Sequence, residues 1–96
     1  MRELVNAARG EALLEIDGRP QRLCVTLGAL AELEAAFDVA SLFELGERLA
    51  QLTASDLITV LAALSGTSTA ELARAEIDPK AAAHAVAEAF RVAFDD

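Results

Sequence analysis

Along the first third of the chain, apolar residues recur at every second position. Ala12, Leu14 and Ile16 alternate with Glu11, Leu13 and Glu15, and Leu23 and Val25 alternate with Arg22, Cys24 and Thr26. Period two marks a ribbon with one buried face. Asp17-Gly18-Arg19-Pro20 lies between the two runs and reads as a turn, so residues 11–26 are predicted to form a β-hairpin. A four-residue loop sets Leu14 opposite Leu23, Ala12 opposite Val25 and Glu15 opposite Arg22. That register gives apolar pairs on one face and an ion pair on the other. A two-residue Asp-Gly turn instead pairs Leu13 with Arg22 and draws Pro20 into the ladder, where a proline has no N–H to donate. The longer loop is the expected one. Two strands are marginal alone in water, so the ribbon must pack on other elements.

From residue 27 the period lengthens to about 3.6, and the chain reads as a series of short helices. Leu27, Leu30, Leu33 and Phe37 mark the first, over 27–37. Ser41 and Glu44 have capping-box spacing and open a helix over 42–52 with the stripe Leu42, Leu45, Leu49 and Leu52. Thr53 and Asp56 repeat the device before 54–65. That helix is apolar nearly all round and therefore central, with Gly66 as its stop. Ser68 and Glu71 open a helix over 69–76. Asp78-Pro79 then starts the last, over 79–94, as N-cap and first-turn proline. Its apolar side is Ala83, Val86, Ala87, Phe90 and Phe94; Lys80, His84, Glu88, Arg91 and Asp95 lie on the other. The fold class is α+β: a hairpin followed by four to five short helices. Residues 10–96 form a single domain behind a weakly ordered lead over 1–9, where Leu4 and Val5 offer the docking side chains.

Composition supports a small helical body. Of the 96 residues, 22 are alanine and 15 are leucine, and the four aromatics are all phenylalanine. The net charge of −8 argues against nucleic acid or an anionic membrane as partner, since phosphates reward Lys and Arg. The nearly apolar run from Leu57 to Leu64 is far shorter than the ~20 residues that cross a bilayer. A single cysteine, Cys24, and no signal-like apolar stretch at the start lead to the expectation of a soluble cytoplasmic protein.

No catalytic or cofactor constellation emerges from the residues. His84 is the only histidine and sits on a polar helix face without a nucleophile to serve. Cys24 reads as a small packing residue. The carboxylates match neither a calcium loop nor a facing pair, and no glycine-rich phosphate loop is present. Residues 54–76 can be drawn as a helix-turn-helix, but Asp56, Glu71 and Glu76 outweigh Arg74 there. An acyl carrier protein would need Asp-Ser-Leu, and the chain has Ser55-Asp56-Leu57. The expectation is a protein without enzymatic activity, metal or cofactor. The stripe Leu42, Leu45, Leu49 and Leu52 reads as core, with a docking groove as its rival reading.

Three stretches together resemble a known family: Asn6-Ala7-Ala8-Arg9-Gly10-Glu11, Leu14-Glu15-Ile16-Asp17-Gly18, and Leu27-Gly28-Ala29-Leu30-Ala31-Glu32-Leu33-Glu34. In this order and spacing the chain is similar to the small tail tube or tail assembly chaperone proteins of gene transfer agents and related tailed phages. The likeness is densest over 6–52, looser through Leu57–Leu64, and thins after Gly66. Where the family often has glycine after the first helix, this chain has Asp38, a residue that tolerates a left-handed C-cap better than most. The resemblance implies a non-enzymatic role in morphogenesis, in the cytoplasm of a producing bacterium. The implied partners are the long helical tape-measure protein and tail tube subunits, and the protein need not remain in the finished particle. Rival readings are a minor structural component retained in the particle and an unrelated acidic adaptor. The expected partner surface is the hairpin's apolar face with the first helix: Leu14, Leu23, Val25, Leu30 and Phe37. The same residues also read as core. An uncovered strand edge leaves homo-oligomerisation open.

Overall fold

Apolar alternation followed by helical periodicity folds the chain into a two-stranded ribbon laid across a helical layer. A computed structural model describes residues 11–94; the lead over 1–9, its residues Leu4 and Val5, and Asp95 lie outside them. Strands β1 (Glu11–Ile16) and β2 (Arg19–Cys24) pair antiparallel. They are followed by α1 (Leu27–Phe37), α2 (Leu42–Leu49), α3 (Ala54–Ser65), α4 (Thr69–Arg74) and α5 (Pro79–Phe94). The fold is α+β, as expected. The second and fourth helices end earlier than their sequence periods suggest, at Leu49 rather than 52 and at Arg74 rather than 76.

The hairpin register differs from the expected one by two residues. Ala12 faces Leu23, Leu13 faces Arg22, Leu14 faces Gln21 and Glu15 faces Pro20. The turn is therefore the two-residue Asp17-Gly18, with φ of 55° and 77°. Positive φ at both central residues matches the right-handed twist of the strands and selects such tight turns. Pro20 is no obstacle, because its pair with Glu15 follows the turn-closing pair and falls at a non-hydrogen-bonded position. A shift of two keeps every side chain on its face, so Ala12, Leu14, Ile16 and Leu23 still point inward and are buried. On the outer face Arg22 meets Glu11 at 3.7 Å instead of Glu15. Val25 lies beyond the end of β2, half-buried in the link to α1.

β1 packs on α5 and β2 on α3, while α1 contacts α2 and α3. Leu23, Leu33, Leu45, Val60 and Leu61 are the largest fully buried side chains. As the most apolar helix, α3 is central: it meets α1, α4, α5 and β2. Leu27, expected in the first helical stripe, is instead 82% exposed and Ala29 is buried in its place.

The helix ends follow the predicted caps closely. Thr53 and Asp56 form a complete capping box, each side chain accepting from the other's backbone N–H, at 3.1 and 3.0 Å. At α2, Ser41 accepts from the Glu44 N–H, but the Glu44 carboxylate reaches one residue further back and accepts from Ala40 N–H at 2.8 Å. Asp38 ends α1 with φ 55° and ψ 49°. Its N–H donates to the Ala35 carbonyl and that of Val39 to the Glu34 carbonyl, the two bonds of a Schellman ending. Glycine adopts this backbone without the Cβ penalty. Asp38→Gly is therefore expected to stabilise the fold by about 0.5 kcal/mol, after the greater freedom glycine has when unfolded. That corresponds to a rise of roughly 2–4 °C in Tm, measurable by thermal circular dichroism.

Candidate functional site: an open apolar groove

Packing uses only part of α5. Ala82, Ala85, Val86 and Ala89 are buried against β1, β2 and α3. Of the side predicted to face inward, Val86 alone is buried in that contact. Ala83 and Ala87 are exposed, Phe90 is half-buried and Phe94 is 58% exposed. The two phenylalanine rings stack with centroids 6.2 Å apart and planes within 6°, a favourable aromatic arrangement. Lys80, His84 and Arg91 are exposed on the polar side, where Arg91 bonds Glu88 and holds its carboxyl below the usual range.

This second apolar side of α5 forms one wall of a groove of about 590 Å³. The opposite wall is α2, through Gly46, Leu49 and Ala50. Its floor is the α2–α3 corner, with Leu52, Thr53, Ala54 and Leu57. Among the described residues no charged side chain lines it. The groove exists because α2 packs on α1, whereas α5 packs on the ribbon and α3. Half of the stripe read as core, Leu49 and Leu52, thus lines an open surface, and Leu42 at its start is 49% exposed. Next to Leu42, Phe43 is 75% exposed.

The corner that sets the groove's shape is held by Arg48. Its guanidinium is bidentate to Asp56 at 2.6 and 3.0 Å and lies 4.6 Å from the centre of the Phe37 ring. One side chain thereby joins α1, α2 and the first turn of α3. The hydrogen bond from Arg48, aided by the Thr53 backbone, lowers the Asp56 pKa from 3.8 to about 2. A carboxyl depressed in the folded state contributes stability above its unfolded pKa and loses it as pH falls through the folded one. The urea midpoint is therefore expected to drop between about pH 4 and pH 2, and Asp56→Asn should remove that component of the acid sensitivity. Equal acid slopes for the two proteins in urea titrations would refute the clasp.

The five residues first considered for partner binding all belong to one apolar cluster. Leu14, Leu23 and Leu30 are buried within it, and Val25 and Phe37 pack half-buried against it. They form the interior surface on which ribbon and helices meet, and Phe37 in addition receives Arg48. Sequence reasoning missed the groove residues Gly46, Ala50, Ala83 and Ala87. The available signal was the breadth of the apolar arc on α5. Alanines at 81, 82, 83, 85, 87 and 89 spread it over roughly two-thirds of the helix circumference, more than one packing face requires.

Among the described residues no group of three or more His, Cys, Asp or Glu is placed to hold a metal ion, and no helix is long and apolar enough to cross a membrane. Fold and groove together define a small α+β module that carries an apolar cleft between helices. The family described as "Phage tail tube protein, GTA-gp10" matches residues 9–95, and the chain belongs to that family. The match runs through α5, well past Gly66 where the resemblance read from the sequence thins. No curated protein and no solved structure matches the chain.

Proposed function

We propose that this protein is a non-enzymatic tail assembly chaperone of a gene transfer agent or phage-like element. In the cytoplasm of the producing cell it binds the tape-measure protein before the tube polymerises. Membership of a phage tail family supplies the setting. The observation that carries the chaperone reading is the groove, a channel between two helices whose described lining is apolar apart from Thr53. Such channels take up the apolar side of an amphipathic helix. Co-expression with the tape-measure protein of the same element should yield a soluble complex that co-elutes on size exclusion. A tape-measure protein that stays equally insoluble, with no complex, refutes the proposal. The family's description as a tail tube protein favours one other reading, a structural component retained in the particle. Stoichiometric recovery of the chain in purified particles by mass spectrometry would select it.

A further inference from the structure

Resting on that reading, we infer that the groove is specific for a net-basic amphipathic helix, one whose apolar stripe is flanked by Lys or Arg. Shape restricts the occupant first. Gly46 on α2 and Ala50 at its C-cap stand one helical turn apart, as do Ala83 and Ala87 on the α5 wall. Small side chains on both walls leave the channel wide enough for a helix to approach closely. Leu49 and Phe90 on the two walls and Leu52 and Leu57 in the floor present the apolar surface that such a helix would cover.

Charge then selects among helices. The lining is uncharged among the described residues, so the field at the mouth is set chiefly by the chain as a whole, whose formal charge is −8. Asp78 and Lys80, both exposed, flank Pro79 at the α5 end of the groove and offset each other. The neighbouring Arg48 and Arg91 are each bound to a carboxylate, Asp56 and Glu88. A net-acidic body around an apolar channel attracts a cationic helix and repels an acidic one. The same −8 on every copy opposes a second copy of this chain as the occupant.

The test titrates the full-length protein with three fluorescently labelled 18-residue peptides, followed by anisotropy at low and moderate salt. The first is an amphipathic Leu/Lys helix, the second its Leu/Glu counterpart with the same apolar stripe, and the third a scrambled Leu/Lys sequence. The Leu/Lys helix should bind at least tenfold more tightly than either control. Ala87→Gln, a substitution at an exposed helical position that leaves the fold intact by circular dichroism, should weaken it at least tenfold. Ala31→Gln, on the exposed part of α1, should not. Equal affinity for the Leu/Glu helix overturns the charge selection. Binding unaffected by Ala87→Gln overturns the site, because nonspecific attraction to an acidic surface survives that change. A wild-type dimer that dissociates on Ala87→Gln, seen by light scattering, makes the groove a self-association surface and also overturns the inference. Failure of the chaperone reading looks different: the peptide binds as described while the tape-measure protein forms no complex. If instead that complex forms and Ala87→Gln leaves it intact, the chaperone reading stands and the groove assignment falls.

Discussion

Truncating Leu33 to alanine should cost about 3 kcal/mol and lower Tm by roughly 12–24 °C. Leu33 is fully buried on α1 and belongs to the cluster that joins the helices to the ribbon. The loss combines the transfer free energy of the deleted carbons with the cavity they leave, and close packing limits how far the surroundings can collapse. A domain of this size has a total stability of only about 5–10 kcal/mol, so the variant should be partly unfolded well below the wild-type transition. Urea denaturation should show a lower midpoint with an unchanged slope. As a contrast, Leu27→Ala, six residues away and 82% exposed, should shift stability by less than about 0.5 kcal/mol. Similar losses in the two variants would mean that α1 packs through a different side.

The second large effect is expected at Asp17. Its carboxylate accepts from the Glu76 N–H at 2.7 Å, and its own N–H donates to the Glu76 carbonyl at 2.9 Å. The hairpin turn is thereby fastened to the link between α4 and α5, 59 residues away. Asp17→Ala removes the charge-assisted bond and places a Cβ-bearing residue without a local acceptor at φ 55°. Together these should cost about 2 kcal/mol. Asp17→Asn keeps an acceptor and installs Asn-Gly, the preferred pair for this turn, so it should retain most of the stability. A hairpin held only by its apolar face would show no difference between alanine and asparagine in chemical denaturation.

Much of the architecture was legible because local signals agreed with one another. Period two, period 3.6 and four Ser, Thr or Asp cap positions located the ribbon and all five helices. At Thr53–Asp56 even the hydrogen bonds follow from the spacing. The hairpin register was not legible, because a proline two residues past the turn reads as an obstacle to pairing. Whether it obstructs depends on which ladder positions carry hydrogen bonds, and the turn decides that. The groove was hidden for a different reason. Pattern shows that a residue is apolar, but not which of two apolar sides of α5 finds a neighbour. Likewise Arg48 and Asp56 meet across a corner whose angle no local pattern specifies.

The sharing of Asp56 has a kinetic consequence. Its carboxylate both closes the α3 capping box and receives Arg48 from α2, while α2 buries only Leu45 completely. Release of α2 therefore uncouples the first turn of α3 at the same moment. In native-state hydrogen exchange, the amides of α2 and of residues 56 and 57 should open together as one low-energy unit, far below the global unfolding that the centre of α3 requires. A helix lodged against Leu49 and Leu57 would slow that exchange without contacting the exchanging amides.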